Sequence, residues 1–180
     1  MLIRPATETD AASFAETYAP VVEGTAISFE TAPPDASEMA RRIAHVMKTH
    51  PWLAAEAEGK IAGYAYACPH RERAAYRWSV DVAVYVREGA RRRGAARALY
   101  ARLFEILIAQ KFHAAYAGIV LPNAASVRLH EATGFKAVGV YRNVGYKLGA
   151  WRDVGWWGRG LAPLADPPEE AVPFSAFREM

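Results

Sequence analysis

The sequence predicts an α/β fold, a mixed sheet flanked by helices, on three observations. Strand-like and helix-like segments interleave along the chain. Residues 78–86 (WSVDVAVYV) alternate from side to side, with Val80, Val82, Val84 and Val86 on one face and Ser79, Asp81, Ala83 and Tyr85 on the other. Residues 94–110 place Leu99, Leu103, Ile106 and Leu107 at the spacing of one helical stripe.

The elements follow in order. Ile3 and Pro5 suggest a short first strand, and Thr7 with Asp10 three residues on has the pattern of a capping box. The helix it opens is expected to stop before Pro20, because proline removes a donor and crowds the preceding turn. Residues 26–34 read as an extended piece running into a loop. Asp35 with Glu38 starts a second helix, with Met39, Ile43, Val46 and Met47 on one face and Pro51 as its stop. A hairpin over 52–58 and 60–68 turns at Glu58-Gly59-Lys60, and Pro69 to Arg77 is a polar, arginine-rich loop. The four-valine face of the next strand needs a core beneath helices, whereas a carboxylate and a phenol opposite it are unusual near the centre of a sheet. After a loop at 87–93 and the amphipathic helix comes a strand at 114–121, then a helix capped by Asn123 and closed by Gly134. Strands at 136–142 and 150–158 are joined by a stretch holding Gly145 and Gly149. Trp151, Trp156 and Trp157 fit a packed interface or a core, with core the expectation. From Ala162 the chain has four prolines and no period, so 1–161 reads as the domain and 162–180 as a loosely ordered tail or a partner-contacting arm.

Composition narrows the function. With 180 residues, 52% apolar and 23% charged, the chain has enough core for one globular domain and is no disordered segment. No apolar run approaches the roughly 18 residues of a membrane span, and MLIRPATETD has no signal-like apolar stretch. The lone Cys68 cannot make an internal disulfide, which makes a cytoplasmic setting the expectation. A formal charge of +3 is too small to steer the whole surface toward nucleic acid. The basic residues cluster instead at Arg91, Arg92 and Arg93, with Arg87 and Arg97 nearby, where a helix begins.

That junction suits an anion. A helix N-terminus leaves about four backbone N–H groups unpaired and carries roughly half a positive charge. Small residues at Gly94, Ala95 and Ala96 let a diphosphate approach the amides, and each charge-assisted bond contributes about 1.5–3 kcal/mol. A solvated arginine surface and a contact to nucleic-acid phosphates are the other readings. The latter lacks a second basic face, a recognition helix or an aromatic platform. Neither GxxxxGK[ST] nor GxGxxG occurs.

Arg91-x-x-Gly94-x-Ala96, after VAVYV and before an amphipathic helix, resembles the Q/R-x-x-G-x-G/A signature of the GNAT acyltransferase superfamily. The block from Asn123 through Ser126 and His130 to Gly134-Phe135 is similar to that family's second CoA-contacting segment. SFET at 28–31, PHRERAAYRWSVD at 69–81 and GYKLGAWRDVGWW at 145–157 sharpen the resemblance to the phosphinothricin/methionine sulfoximine N-acetyltransferases, over about residues 2–161. The fold this implies has a mostly antiparallel central sheet whose two central strands splay around acetyl-CoA. The activity it implies is transfer of acetyl from acetyl-CoA to the α-amine of a small amino-acid-like substrate, through a tetrahedral intermediate and without a metal.

The resemblance also distributes roles. Backbone at Val84 and Val86, with Tyr85 between them, would receive the thioester carbonyl. Arg91, Arg92, Arg93, Gly94, Ala95, Ala96 and Arg97 would hold the diphosphate, with Asn123 and Ser126, and more weakly Lys147, as further CoA contacts. Asp81 stands where the family's proposed general base is normally a glutamate; one methylene shorter, it could act through a water or only orient the ammonium. Read as structure alone, it would be a strand carboxylate bonded to an arginine such as Arg73. His130 stands where many members have a tyrosine that protonates the leaving thiolate, and its alternative is a purely structural helix histidine. Asn123 can cap a helix and touch CoA at once. Arg71, Arg73 and Tyr76 match the residues holding the substrate's carboxylate and phosphinyl or sulfoximine group, with arginine where the first is often lysine; Phe29 and Glu30 would line the same pocket. A homodimer is implied by resemblance alone. Acetylation of polyamines or protein N-termini remains open, the former disfavoured by Arg71 and Arg73, and so does a non-catalytic CoA-binding module.

Overall fold

In the computed structural model, which describes residues 1–177, the alternating segments assemble into one seven-stranded sheet. Its strands are β1 (Leu2–Pro5), β2 (Trp52–Ala57), β3 (Lys60–Pro69), β4 (Ser79–Val86), β5 (Ala114–Leu121), β6 (Lys136–Lys147) and β7 (Ala150–Gly160). They lie side by side in the order β1-β2-β3-β4-β5-β7-β6, antiparallel at every junction except β4–β5. Helices α1 (Ala11–Gly24) and α2 (Ala36–Val46) cover one face. Helix α3 (Ala95–Ala109) covers the other, with α4 (Ala124–Ala132) beside it.

The valine face of β4 decides that arrangement. Val80 and Val82 are buried against Leu99, Leu103 and Leu107 of α3, and Val84 and Val86 pack on the rim of the same cluster. Each fully buried leucine contributes about 1.5–3 kcal/mol, so this seam alone is enough to orient the strand. Across the sheet, Phe14, Tyr18, Met39 and Ile43 close over Trp52, Ala54 and Tyr64.

The parallel junction opens. β4 and β5 pair only at Ser79↔Ala114, Val80↔Ala115 and Asp81↔Tyr116, although β4 continues to Val86 and β5 to Leu121. Beyond that point each strand stays with its outer neighbour: Val86 lies opposite Gly63 of β3, and Leu121 opposite Asp153 of β7. The Arg87 N–H donates to the Ala62 carbonyl (2.9 Å) and the His70 N–H to the Ser79 carbonyl (3.3 Å), so odd-numbered residues of β4 turn their polar backbone toward β3. Alternation then aims the N–H groups of Val82, Val84 and Val86 toward β5, and for Val84 and Val86 that means into the split.

Several local expectations are corrected. α1 runs through Pro20 to Gly24, because Val21 and Val22 beyond it are buried. The carbonyl deprived of a partner belongs to Glu16, four residues back on the exposed side, where solvent can reach it. β6 and β7 are longer than expected and meet at a tight turn, Leu148 (φ 51°) and Gly149 (φ 73°); the stretch around Gly145 is an irregularity within β6. Of the three tryptophans Trp157 is core, while Trp151 is 62% exposed. The tail is not loose over 162–177. Trp78 Nε1 donates to the Glu169 carbonyl (2.7 Å), Gln110 and Val172 bond in both directions (2.7 and 2.9 Å), and Ala171 and Phe174 pack on the α3 core. Residues 178–180 of that expected tail lie outside the described residues.

Candidate active site

The split leads to the basic turn. Gly94 caps α3 in the left-handed region (φ 86°), and a β-carbon there would meet nothing within 4 Å, so the space before the helix is open. The Ala95, Ala96 and Arg97 amides begin the helix and face that space without an intrahelical acceptor. Among the described residues no carboxylate pairs with Arg91, Arg92, Arg93 or Arg97, whereas Arg87 is held by Glu16 (3.1 Å). Open amides, small side chains and unneutralised arginines fit a diphosphate. The cleft between the strands is lined by Val82, Ala83, Val84 and Tyr85 on one side and Ala117 to Val120 on the other, with Asn123, Ser126, Tyr100 and His130 behind. Its narrow walls, apolar side chains interleaved with polar backbone and side-chain groups, suit the amide-bearing arm of a thioester donor.

Asp81 sits at the last paired position before the strands part. Its Oδ1 lies 2.6 Å from His70 Nδ1, and its Oδ2 is 3.9 Å from an Arg71 Nη1. Burial pushes its carboxyl above the ordinary 3.8, and the His70 bond only partly offsets this. The expected structural partner, Arg73, is replaced by His70, a residue to which no motif drew attention. Only its place beside Arg71, in a loop that folds back on β4, could have pointed to it. His70 stacks on Tyr116 (ring centroids 4.6 Å apart), and Tyr76 and Trp156 meet it edge-on, each at 5.9 Å. Arg71 lies over the Trp156 ring at 5.3 Å. Cys68 lies opposite Asp81 on β3, its thiol pushed up to about 12 by burial and then by the carboxylate, so it remains protonated and inert near neutral pH.

Asn123 caps α4 by accepting from the Ser126 N–H (3.1 Å). His130 is buried on the cleft wall; its Nδ1 donates to the Ser126 carbonyl (2.8 Å) and its Nε2 meets the Tyr100 hydroxyl (2.9 Å). Burial lowers its pKa below the ordinary 6.5. The expectation that His130 itself supplies a proton is therefore modified: both nitrogens are engaged and the cation is disfavoured. Tyr100, absent from the sequence reading, carries the dissociable O–H of the pair, which burial keeps protonated.

The expected substrate residues divide. Arg71 and Tyr76 adjoin Asp81 through His70. Arg73 makes no bond to Asp81 and lines, together with Arg71, a cavity bounded by Thr49, Arg77 and Glu170, against the tail. Glu30 is gripped by the two terminal Arg42 nitrogens (2.8 and 3.1 Å), which with the Tyr18 hydroxyl hold its carboxyl below the usual range. Phe29 covers Gly145, where a β-carbon would run into its ring, so only glycine permits this approach. Lys147, expected as a weak CoA contact, is buried elsewhere, donating to the Val22, Ser28 and Glu30 carbonyls at 2.6, 2.7 and 2.7 Å. Its three donors are spent on holding the segment that carries Phe29 and Glu30.

The chain is similar to known proteins over most of its length. Residues 3–156 match the model of the acetyltransferase (GNAT) domain. Over 171 residues the chain is 42% identical to a phosphinothricin N-acetyltransferase of Streptomyces viridochromogenes, covering 95% of this chain and 93% of that one. A phosphinothricin acetyltransferase of Sinorhizobium meliloti, solved with acetyl-CoA, superposes with a TM-score of 0.88 at 30% identity, over 96% of this chain and 97% of the other. A ribosomal-protein-alanine N-acetyltransferase from Brucella melitensis superposes at 0.86 with 35% identity, over 89% and 99%. Among the described residues no helix is long and apolar enough to cross a membrane.

Proposed function

The chain belongs to the GNAT acetyltransferase family, and on that premise we propose that it moves acetyl from acetyl-CoA to the α-amine of a small amino-acid-like substrate, such as phosphinothricin or methionine sulfoximine. The observation that carries this reading is the Asp81 carboxylate at the mouth of the β4–β5 split, with Arg71 beside it to receive a carboxylate or phosphinyl group. The amides of Gly94, Ala95, Ala96 and Arg97 take the diphosphate, and Arg91, Arg92, Arg93 and Arg97 neutralise it. The Val84 and Val86 N–H groups, aimed into the split beside Tyr85, receive the thioester oxygen and stabilise the charge that develops there; one such donor is worth about 2.7–4 kcal/mol in other acyl-transfer enzymes. Asn123 and Ser126 border the donor arm. Asp81 governs deprotonation of the amine. His130 orients the Tyr100 hydroxyl near the departing sulfur. Tyr76 completes the amine pocket. Arg73 lines the adjoining cavity together with Arg71, and Phe29 and Glu30 lie on the segment that Lys147 and Arg42 hold. Transfer is direct, since the buried Cys68 thiol is no nucleophile.

Incubating the protein with acetyl-CoA and phosphinothricin or methionine sulfoximine should release free thiol. Background rates across a panel of amino acids and amines would refute the assignment. A second reading, acetylation of protein N-termini, is favoured by the likeness to the Brucella structure. Faster turnover of N-terminal peptides than of free amino acids would select it. We also propose a homodimer through the β6–β7 hairpin, where Val138, Val144, Tyr146, Leu148 and Trp151 are 49–65% exposed. Light scattering showing only monomers at micromolar concentration would exclude it.

A further inference from the structure

The carboxylate at the split is not placed to work alone. We propose that His70 is the catalytic base, taking the proton from the substrate amine, and that Asp81 is the positioning residue that holds its ring; this rests on the acetyl-transfer reading above.

The geometry runs from backbone to ring. Asp81 leaves β4 at the last residue paired with β5, on the face away from the valine core. His70 follows the end of β3 and turns back, so that its Nδ1 comes within 2.6 Å of Asp81 Oδ1. An ionised carboxylate can only accept, so Nδ1 carries the hydrogen and Nε2 of the neutral ring presents its lone pair. Among the described residues no protein atom is bonded to Nε2. The ring is held by its stack on Tyr116, by the edges of Tyr76 and Trp156, and by Arg71, whose Nη1 donates to the His70 carbonyl (2.7 Å). The titratable and charged groups facing the pair are Cys68 from β3, Arg71 and Tyr76 from the 69–78 loop, and Tyr116 from β5. Burial makes the Asp81 carboxylate costly on its own, and an N–H directed at it offsets part of that cost.

An aspartate side chain is short, and an imidazole set in front of it extends the reach of the base. Nε2 takes one proton from the substrate ammonium, leaving a neutral amine. Its lone pair forms the N–C bond at the acetyl carbon, and the C–S bond breaks with the electron pair leaving on sulfur. The second nitrogen proton reaches the thiolate by way of solvent, and His70 returns its proton to solvent, so the balance closes without another reactant.

Two variants of the full chain test this: His70→Asn, which keeps an N–H donor for Asp81 but has no basic nitrogen, and His70→Ala. A base role predicts that both His70 variants lose at least about 100-fold in kcat, the usual scale for a general base, with KM for acetyl-CoA unchanged. Exogenous imidazole should restore part of the His70→Ala rate, increasingly as pH rises through the imidazole pKa. A merely structural His70 predicts instead that Asn rescues activity and imidazole does nothing, and that result would overturn the proposal. Nitrogen-15 spectra of the wild type should show a protonated Nδ1 and a bare Nε2, the reverse tautomer being equally fatal. A wild type silent toward every amine sinks the acetyl-transfer reading and this role with it; an active wild type with an equally active His70→Asn sinks only this role.

Discussion

Replacing Lys147 by methionine keeps most of the side chain's length and apolar contact while removing the ammonium that three backbone carbonyls share. Those carbonyls, of Val22, Ser28 and Glu30, lie 2.6–2.7 Å from Nζ, and the lysine is only 8% exposed. A hydrogen bond from a charged donor contributes about 1.5–3 kcal/mol, and a buried acceptor left empty costs about 1–3 kcal/mol. Against that stands the cost of burying the lysine, which methionine avoids. The net loss should be about 3 kcal/mol, well inside the sum of the three bonds. In a domain of this size that lowers Tm by about 6–12 °C, measurable by circular dichroism melts at neutral pH. Because the freed segment carries Phe29 and Glu30, KM for the amine should rise while KM for acetyl-CoA holds. A variant melting within about 2 °C of wild type, with both constants unchanged, would refute the idea that Lys147 secures this segment.

Burial holds the Asp81 carboxyl above 3.8, so the native state binds that proton more tightly than the unfolded chain does. The contribution to stability therefore falls as pH rises from the ordinary carboxylate value through the raised one. Asp81→Asn should accordingly melt no lower than wild type at pH 7 while losing turnover, and a clear drop in melting temperature would contradict the direction. Gly94→Val forces a β-branched residue to φ 86°, which costs about 1–3 kcal/mol, and it places a side chain in the open space before α3. Calorimetry should find CoA binding weakened at least tenfold, and undiminished binding would argue against the anion turn. A chain ending at Leu161 loses the bonds from Trp78, Gln110, Val172 and Phe174 that tie the tail down. At about 0.5–1.5 kcal/mol each, their loss should lower Tm by at least about 5 °C, and an unchanged melt would show that the tail lies outside the folding unit.

The Gly94 turn and the strand before it were legible because each depends on neighbours in sequence. Four valines at alternate positions place β4 over α3 wherever the rest of the chain lies, and Gly94 before a helical stripe marks the only kind of residue that enters a helix comfortably at φ 86°. Asn123 as a cap was equally local. Pro20 misled because burial of Val21 and Val22 outweighs one absent hydrogen bond on an exposed side. The tail misled because an extended segment rich in proline shows no period even when its backbone is tied down, as Val172 is to Gln110.

From residue order alone came the α/β class, the Gly94 turn that opens α3 and the placing of Asp81 on the face opposite the valines, since period and turn chemistry are properties of short stretches. Tertiary structure alone decided the partners. His70 rather than Arg73 reaches Asp81, Lys147 closes on carbonyls more than a hundred residues away, and Arg42 takes Glu30. Partners of that kind depend on strand register and loop path, where a shift of one residue turns every side chain to the opposite face, and no local pattern carries that information.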